Sequence, residues 1–400
     1  MLALVDLTLS ELRSIEGVES ASWNALDHAP SPFLEWGFLA ALERSKSVGA
    51  SAGWDPHYLL VHGEVPTAQQ SSPVQGTPQR LLLGAVAAYV KEHSYGEYIF
   101  DFHWARASTS SGIPYYPKLV IAAPATPATG RRILLHPSLD AAGREAVTAR
   151  LIAGVRALAE DAGCHSTHWL FTTTEERERL AAAGFAARSS YQFHWHNRDY
   201  ASFDEFLAQL TSRKRKQIRK ERSRAQAAVD TIHFVPGAEL DEAQVGALDR
   251  FYRSTTQAYG GRQYLRPGFF HTLVELAPER IQFLEVIRAG KTIAGALFLE
   301  TEGGLYGRYW GCEREIEFLH FEAAYYAGIQ RCIERGLPLF EAGAQGEHKL
   351  LRGFMPVICH SAHELHHPGL DRGVREFLRE EQIAVARHVA ELAEYGPYRC

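Results

Sequence analysis

The densest group of potentially reactive side chains lies in residues 341–356, which read EAGAQGEHKLLRGFMP. The apolar residues just before this segment predict a strand, and its glycines allow the chain to bend sharply and to approach a ligand closely. An ordinary strand-to-helix connection needs one capping residue, whereas this one offers five hydrogen-bonding side chains. We therefore predict a polar site made of Gln345, Glu347, His348, Lys349 and Arg352.

A second group of candidates lies shortly before that segment. The aromatic stretch at residues 306–311 predicts a strand, on which Arg308 and Tyr309 cannot both face the core. His320 and Glu322 follow at the start of the next predicted helix, where His320 can act as a base that Glu322 holds, or the pair can be structural. The predicted substrate-binding residues of this group are Arg308, Tyr309, Trp310, His320 and Glu322.

The first half of the chain contains a similar aromatic set with polar tips, between Tyr95 and Lys118. Tyrosine and tryptophan at this density occur in ligand walls and interfaces as well as in ordinary cores. The pattern at residues 97–103 and again at residues 118–123 predicts strands. We expect contributions to substrate binding from Asp101, Tyr116 and Lys118.

A strongly basic helix is predicted at residues 212–224, SRKRKQIRKERSR, where Glu221 is the single acid. In a chain with a formal net charge of -5, this density marks a local surface rather than a global property. It favours contact with the phosphates of a nucleotide cofactor or of RNA, and a solvated helix with extended side chains is the alternative. The residues predicted to bind a cofactor are Arg215, Lys216 and Arg219.

Residues 363–367, HELHH, match the H-E-x-x-H pattern of zinc proteases. That chemistry requires a helix, because two histidines one turn apart must share a face while the glutamate activates water. Here residues 357–365 alternate in the manner of a strand, and Pro368-Gly369 follows at once. A zinc enzyme built around His363 is therefore a remote alternative, and we predict no metal ligands.

A weak internal repeat organises the chain. In each half, a helix, a glycine turn, a strand, a second polar segment, another glycine turn and a final strand follow a group of antiparallel-looking strands. Matched copies predict an α/β (α+β) fold of two related domains. We place them at residues 1–200 and 201–400, the second with the basic helix 212–224 and a terminal helix at 371–394.

Composition narrows the function classes further. The hydrophobic fraction of 46% and charged fraction of 22% are typical of a soluble globular protein. The N-terminus lacks a secretory signal pattern, and no stretch approaches the roughly 20 apolar residues that span a bilayer. Because the five cysteines are scattered, they predict neither a disulfide framework nor a metal site. We expect a cytoplasmic protein without membrane insertion, of undetermined oligomeric state.

Several of these segments together resemble the FemAB-like family of predicted bacterial N-acyltransferases. They include SPFLEWGFLAALERS, SYGEYIFDFHWA, YYPKL, LYGRYWGC, FLHFEAAYYAGI and FEAGAQGEHKLLRGFMP, and the resemblance covers nearly the whole chain. That family is related to the Fem peptidoglycan aminoacyltransferases and is placed in the wider GNAT superfamily. The resemblance implies two tandem GNAT-like domains with mixed, mostly antiparallel sheets flanked by helices.

The resemblance also implies transfer of an acyl or aminoacyl group to an amine, such as a peptidoglycan precursor, a peptide or a small metabolite. In that hypothesis Glu347 or His348 accepts the proton of the amine and Gln345 orients the acceptor. Lys349 and Arg352 bind a donor phosphate or an acceptor carboxylate, for which arginine is the better bidentate partner.

The donor stays open at this stage. The sequence after Trp310, GCEREIEF, lacks the R/Q-x-x-G-x-G/A loop with which acetyl-CoA-dependent GNAT enzymes hold pyrophosphate. We expect no tightly bound cofactor, and acyl-CoA or aminoacyl-tRNA as co-substrate, the tRNA contacting the basic helix 212–224. A non-catalytic GNAT-like binding protein is the main alternative function.

Overall fold

The computed structural model describes residues 5–64, 80–258, 261–344 and 346–399, so the predicted site residue Gln345 lies outside the described part. The chain forms two compact units, and neither is one continuous stretch of sequence. Unit 1 takes in the described residues of Met1–Ala29, Phe33–Arg188 and His360–Arg379, and unit 2 those of Pro30–Pro32, Ser189–Cys359 and Glu380–Cys400.

The strands are short to medium in length and are numbered here in chain order. They are β1 Val5–Leu12, β2 Asp55–Glu64, β3 Arg80–Lys91, β4 Lys118–Ile121, β5 Leu134–Leu135, β6 Ser166–Thr172, β7 Ala186–His196, β8 Thr231–Pro236, β9 Ile281–Arg288, β10 Lys291–Thr301, β11 Gly304–Cys312, β12 Leu339–Glu341 and β13 Met355–Leu365.

The helices are numbered in the same way. They are α1 Ser20–Asn24, α2 Trp36–Arg44, α3 Phe102–Ser110, α4 Ala141–Asp161, α5 Thr174–Ala182, α6 Phe203–Ala208, α7 Ser212–Ala227, α8 Glu242–Ala258, α9 Phe269–Leu276, α10 Leu319–Phe321, α11 Ala327–Arg335 and α12 Pro368–Glu394. A π-helical turn, Glu322–Tyr326, joins α10 directly to α11. Helix α5 begins with a capping box, in which Thr173 and Glu176 satisfy each other's backbone N–H groups.

Unit 1 is built on a mixed sheet. Strands β1, β2, β3 and β4 follow one another antiparallel, and β4 then pairs parallel with β6. The next strand of this sheet is the C-terminal part of β13, His360–Leu365, which pairs antiparallel with β6. Helix α4 covers the apolar face of these strands through Val147, Leu151 and Val155. The last strand of unit 1 therefore comes from the far end of the chain.

Unit 2 repeats this plan. Strands β8, β9, β10 and β11 form an antiparallel series, β11 pairs parallel with β12, and β12 pairs antiparallel with the end of β7. The helical segment from α10 to α11 packs its apolar side on this sheet, with Tyr326 and Ile329 fully buried. The final strand of each half of the repeat has thus been exchanged, because β7 serves unit 2 and the end of β13 serves unit 1.

The predicted α/β class, with mixed and mostly antiparallel sheets flanked by helices, is confirmed. The basic helix and the long terminal helix are also present, as α7 and α12. The strand predicted at residues 97–103 is wrong, since the chain turns there, with Gly96 and Tyr98 at positive φ, and enters α3 at Phe102. No helix in the described ranges has both the length and the apolarity needed to cross a membrane.

Helix α8 fixes the distal half of β11 through a close backbone contact. A Cβ atom added at Gly311 would lie 2.4 Å from the carbonyl oxygen of Phe251. The hydroxyl of Thr255, also on α8, donates a hydrogen bond of 2.7 Å to the carbonyl oxygen of Trp310. Glycine at position 311 is therefore required for the position of β11, whose distal residues line the cleft described below.

We predict that Gly311→Ala lowers the free energy of unfolding by about 1–3 kcal/mol, because two backbones must move apart. The matched control is Gly373→Ala in α12, where an added Cβ meets no atom within 4 Å. That change should raise stability by about 0.5–1 kcal/mol through helix propensity. Urea denaturation followed by circular dichroism measures both, and equal effects of the two substitutions would contradict the contact.

Candidate functional site

A cleft opens in unit 2 where two parallel strands part. The pairing of β11 with β12 covers only Leu305 with Phe340 and Tyr306 with Glu341. On its other side β11 has a bulge opposite β10, which leaves Arg308 as the extra residue between Gly307 and Tyr309. Bulges of this kind twist a strand and re-aim its side chains, and they are frequent next to active sites.

The divergence of these strands leaves a space of about 110 Å³ that we call the splayed cleft. One wall is the β10–β11 hairpin and the other is the helical segment from α10 to α11. The lining residues are Ala296, Leu297, Phe298, Gly307, Arg308, Tyr309, Trp310, His320, Ala324, Tyr325 and Ala342. Four predicted substrate-binding residues, Arg308, Tyr309, Trp310 and His320, are thus brought together here.

The predicted polar segment folds into a short 3₁₀ turn, Glu347–Arg352, bounded by Gly346 and Gly353. Both glycines have positive φ, and a Cβ at Gly353 would lie 2.7 Å from the buried ring of Phe206. Within the turn Glu347 and His348 are exposed, whereas Lys349 and Arg352 are buried. The turn therefore divides its polar side chains between solvent and the interior.

His348 reaches the wall of the splayed cleft. Its Nε2 lies 2.9 Å from the hydroxyl of Tyr325, a cleft-lining residue on the π-helical turn. His348 is exposed overall, but desolvation of part of its ring lowers its pKa below the ordinary value, and the positive charges of Arg352 and Lys349 act in the same direction. The imidazole is therefore neutral at pH 7 and can take up a proton.

His320 lies next to His348 and Tyr325 and is more buried than His348. Its ring centroid is 5.5 Å from that of Trp310, 5.3 Å from that of Tyr325 and 6.2 Å from that of His348. Burial, followed by the charge of the neighbouring groups, lowers the pKa of His320 to about 4. His320 consequently stays neutral across the physiological range and acts as a polar aromatic wall.

Arg352 is held by a buried carboxylate on the basic helix. Its Nη2 donates to both oxygens of Glu221, at 3.1 and 3.0 Å, and the hydroxyl of Tyr326 donates to the same carboxylate. The guanidinium stacks over the ring of Phe321 at 3.4 Å and donates a 2.9 Å hydrogen bond to the carbonyl oxygen of His348. Arg352 thus ties the turn that carries His348 to α7.

Lys349 is the most desolvated cation of the turn. Its Nζ donates a hydrogen bond of 2.6 Å to the carbonyl oxygen of Gly343. Burial, together with the charge of Arg308, lowers the pKa of Lys349 to about 7, while the charge of Glu341 opposes this shift. A lysine with this pKa is only partly protonated at neutral pH, and shifted pKa values of this kind are common at functional sites.

Glu322 binds residues of α7 and makes no hydrogen bond to His320 among the described residues, which favours the structural alternative for this pair. Its carboxylate accepts hydrogen bonds from Arg222, at 3.0–3.2 Å, and from Gln226, at 2.9 Å. Arg222 in turn donates to Gln330 at 2.7 Å. Because these partners lie on the other side of the helix from the splayed cleft, Glu322 joins α7 to the π-helical turn.

The predicted cofactor-binding residues lie on the outer part of α7. Lys216 and Arg219 are exposed, and Arg219 forms an exposed ion pair of 2.8 Å with Asp204. Arg215 is partly buried, with its Nη2 3.4 Å from Ser212 Oγ. The inward part of the same helix is formed by Ile218, Glu221 and Ala225. The assignment of the three cations to cofactor binding stays a prediction.

The sequence of the chain matches the model of a known protein family. The model of the FemAB-like family, described as peptidoglycan biosynthesis/recognition, matches residues 14–400. The chain belongs to the FemAB-like family. Membership supports an acyl- or aminoacyltransferase, in agreement with the predicted class. No sequence among the curated proteins compared matches this FemAB-like protein.

Solved structures add a likeness of fold. FemX is similar at 11% identity, covering 90% of this chain and 98% of that one, with a TM-score of 0.51. L-PGS from Bacillus licheniformis covers 66% of this chain and 84% of its own at 10% identity, with a TM-score of 0.45. A tandem GNAT protein from the clavulanic acid biosynthesis pathway covers 91% and 99% at 10% identity, with a TM-score of 0.41.

In unit 1 of this FemAB-like protein, Asp101 and Lys118 form a buried ion pair. The Lys118 ammonium donates to Asp101 at 2.6 Å, to Glu97 at 2.7 Å and to Ser94 at 2.8 Å. The half-buried Tyr116 shares a hydrogen bond of 2.8 Å with Ser94. Lys118 therefore uses its donors on protein partners, and a role of the three residues in substrate binding stays a prediction.

The HELHH segment begins inside β13, as its alternating pattern predicted. His363 is buried, and its Nδ1 lies 2.7 Å from Nδ1 of His168 on β6. In the described ranges, no group of three or more histidine, cysteine or acidic residues is arranged to hold a metal ion. On a strand, His363 does not share a helical face with the other histidines of the segment.

Two residues of this site were missed as functional candidates. Glu221 is the lone acid among the cations of α7, and its spacing of three from Ile218 places it on the buried face, a signal that could have been used. Tyr325 was visible only as one aromatic residue among several. Its contact with His348 depends on how the chain returns after β12, which no local pattern encodes.

We predict that Glu221→Ala lowers the free energy of unfolding by about 3–5 kcal/mol, since Arg352 is left as an unpaired buried charge. Asp204→Ala, which removes the exposed ion pair with Arg219, is the matched control and should cost less than about 1 kcal/mol. Chemical denaturation measures both. A cost for Glu221→Ala as small as that of the control would mean that Arg352 does not depend on this carboxylate.

Proposed function

We propose that this protein transfers an aminoacyl or acyl group to an amine in the splayed cleft, with His348 as the proton acceptor. The observation that carries the proposal is the 2.9 Å contact between His348 Nε2 and the cleft-lining hydroxyl of Tyr325. An attacking amine must lose a proton, and a neutral imidazole near pH 7 is suited to receive it. Among the described residues, His348 has a hydrogen bond to a cleft-lining side chain and Glu347 has none, which favours His348 over Glu347.

The proposed step is an acyl substitution accompanied by a proton relay. The amine nitrogen forms a bond to the donor carbonyl carbon, and the bond between that carbon and the leaving oxygen breaks. The proton of the amine passes to the Tyr325 hydroxyl while the proton of Tyr325 passes to His348, and the imidazolium returns a proton to the leaving oxygen. The backbone of Gly307–Trp310 borders the cleft beyond the last β12 pair, and this is where we place the oxyanion.

Coenzyme A is a poor fit to the helix that borders this cleft. GNAT enzymes that use it hold the pyrophosphate just before the equivalent helix. Here that connection carries the exposed carboxylates Glu313, Glu315 and Glu317 against one exposed arginine, Arg314, and Glu317 pairs with Arg224. Negative side chains repel a diphosphate at short range. We therefore propose aminoacyl-tRNA as the donor, contacted by the exposed cations of α7.

The acceptor is proposed as a peptide or peptidoglycan-type amine, in keeping with the description of the family. Arg352 is occupied by Glu221, so we assign it the task of positioning the His348 turn. Lys349 lies inside the same turn and, with a pKa near 7, contributes local positive charge that keeps His348 neutral.

We predict that His348→Ala lowers the transfer rate at pH 7 by about 10²–10⁴-fold, the usual contribution of a general base. Tyr325→Phe should lower it as well, and Glu347→Gln, the control, should leave it near the native value. The assay offers aminoacyl-tRNA or acetyl-CoA together with an amine peptide, and mass spectrometry detects the acylated product.

The pH dependence provides a second readout. Because the pKa of His348 lies below its ordinary value of about 6.5, the native rate should rise with pH only below that value and stay level at pH 7. His348→Ala should remove this acid limb. Full activity of both His348→Ala and Tyr325→Phe would place the chemistry elsewhere, and donor binding without turnover would favour the non-catalytic alternative.

The basic helix generates a separate prediction. Lys216→Glu combined with Lys220→Glu should weaken tRNA binding about tenfold or more and reduce the salt slope by roughly one for each lost phosphate contact. Arg106→Glu combined with Arg150→Glu is the control, because both of these arginines are exposed helical cations in unit 1. Filter binding at several salt concentrations measures the tRNA affinity. Equal losses of affinity in the two double variants would argue against a tRNA contact through α7.

A further inference from the structure

Unit 2 contains a second and larger cavity, of about 350 Å³, which the proposed reaction does not use. We call it the helix-flank cavity, because it lies between the end of α7, strand β8 and the outer side of the π turn and α11. Its lining residues are Arg222, Gln226, Val229, Asp230, Thr231, Ile232, His233, Phe234, Leu284, Glu322, Ala327, Gln330 and Glu334. This volume lies within the range of small-molecule sites.

The charges of the lining favour a cation. Three carboxylates, Asp230, Glu322 and Glu334, face a single guanidinium, that of Arg222. Arg222 is already neutralised in place by its bidentate contact with the buried Glu322. The negative charges not paired with Arg222 are those of Asp230 and Glu334, both exposed. The amide of Gln330 donates one hydrogen bond of 2.7 Å to Glu334 and leaves its charge in place.

The cavity also offers backbone groups. Within the described part of the sheet of unit 2, β8 is the last strand and pairs only with β9. An edge strand presents unpaired carbonyl oxygens as well as N–H groups. The carboxylates of Asp230 and Glu334 add acceptors beside this edge, which suits a ligand that donates several hydrogen bonds.

The apolar floor sets the shape of the ligand. Val229, Ile232, Phe234 and Leu284 lie beneath the polar rim. Arg331 already covers part of the Phe234 ring, with its guanidinium carbon 4.6 Å from the ring centroid. A short hydrocarbon chain fits such a floor, and its ends can reach the carboxylates of the rim.

We infer that the helix-flank cavity is a second binding site, which takes a small aliphatic amine or guanidine bearing at least one positive charge. It is separate from the splayed cleft, since Glu322, Ala327, Gln330 and Glu334 face the cavity whereas His320, Ala324 and Tyr325 face the cleft. The two sites share one helical segment and its π turn. The inference stands whether or not the proposed transfer reaction is correct.

The experiment measures binding of agmatine and of 1,5-diaminopentane to the full-length protein by calorimetry at low salt. The native protein should bind each with saturation at one site. Asp230→Asn combined with Glu334→Gln should raise the dissociation constant about tenfold, because two exposed charge contacts are lost. The Asp230 carboxylate also accepts a hydrogen bond from the backbone N–H of Ala289, and the amide oxygen introduced by Asp230→Asn can still accept it, so the fold should be retained.

The matched control is Asp204→Asn combined with Glu317→Gln, which removes two exposed carboxylates elsewhere in unit 2. It should leave both dissociation constants unchanged. Equal weakening by the two pairs would show attraction to the general negative surface and would overturn the site. Absence of saturable binding of either amine to the native protein up to millimolar concentration would overturn it as well.

Discussion

The buried contact between Glu221 and Arg352 is the interaction on which the candidate site depends. It joins a helix near the start of unit 2 to the turn that carries His348, across 131 positions of sequence. Without the carboxylate, the turn would place an uncompensated guanidinium in the interior, at a cost of several kcal/mol. The sheet supplies the cleft, but this ion pair decides where the turn sits relative to it.

The cleft itself follows from a short strand. Because β12 ends at Glu341, its parallel pairing with β11 stops at Tyr306. The bulge at Arg308 lies in one wall of the cleft, and the π turn at Glu322–Tyr326 lies in the other. Both are local departures from regular structure, and such departures are retained where they aim particular groups. Unlike β12, strand β6 of unit 1 is seven residues long.

Sequence reasoning marked residues 341–356 as a candidate segment because glycines and polar side chains replace a strand pattern within a few residues. It identified α7, α12 and the strand nature of the HELHH segment from periodicity alone. It could not foresee the partner of Arg352 or of His348, since those contacts join distant parts of the chain. The error at residues 97–103 has a physical origin, because polar residues such as Glu97 and Asp101 serve the buried Lys118 and do not alternate on a pleat.

The exchange of the final strands has a consequence for how this protein is made. The sheet of unit 1 takes its last strand from His360–Leu365, which the ribosome adds after all the other described strands of both units. Domains that are contiguous in sequence can fold one after the other during synthesis. Here β6 lacks this partner until His360–Leu365 has been synthesised. The sheet of unit 1 is therefore completed only after most of unit 2 has also been made. Loss of His360–Leu365 would therefore damage the unit whose other strands come first in the sequence.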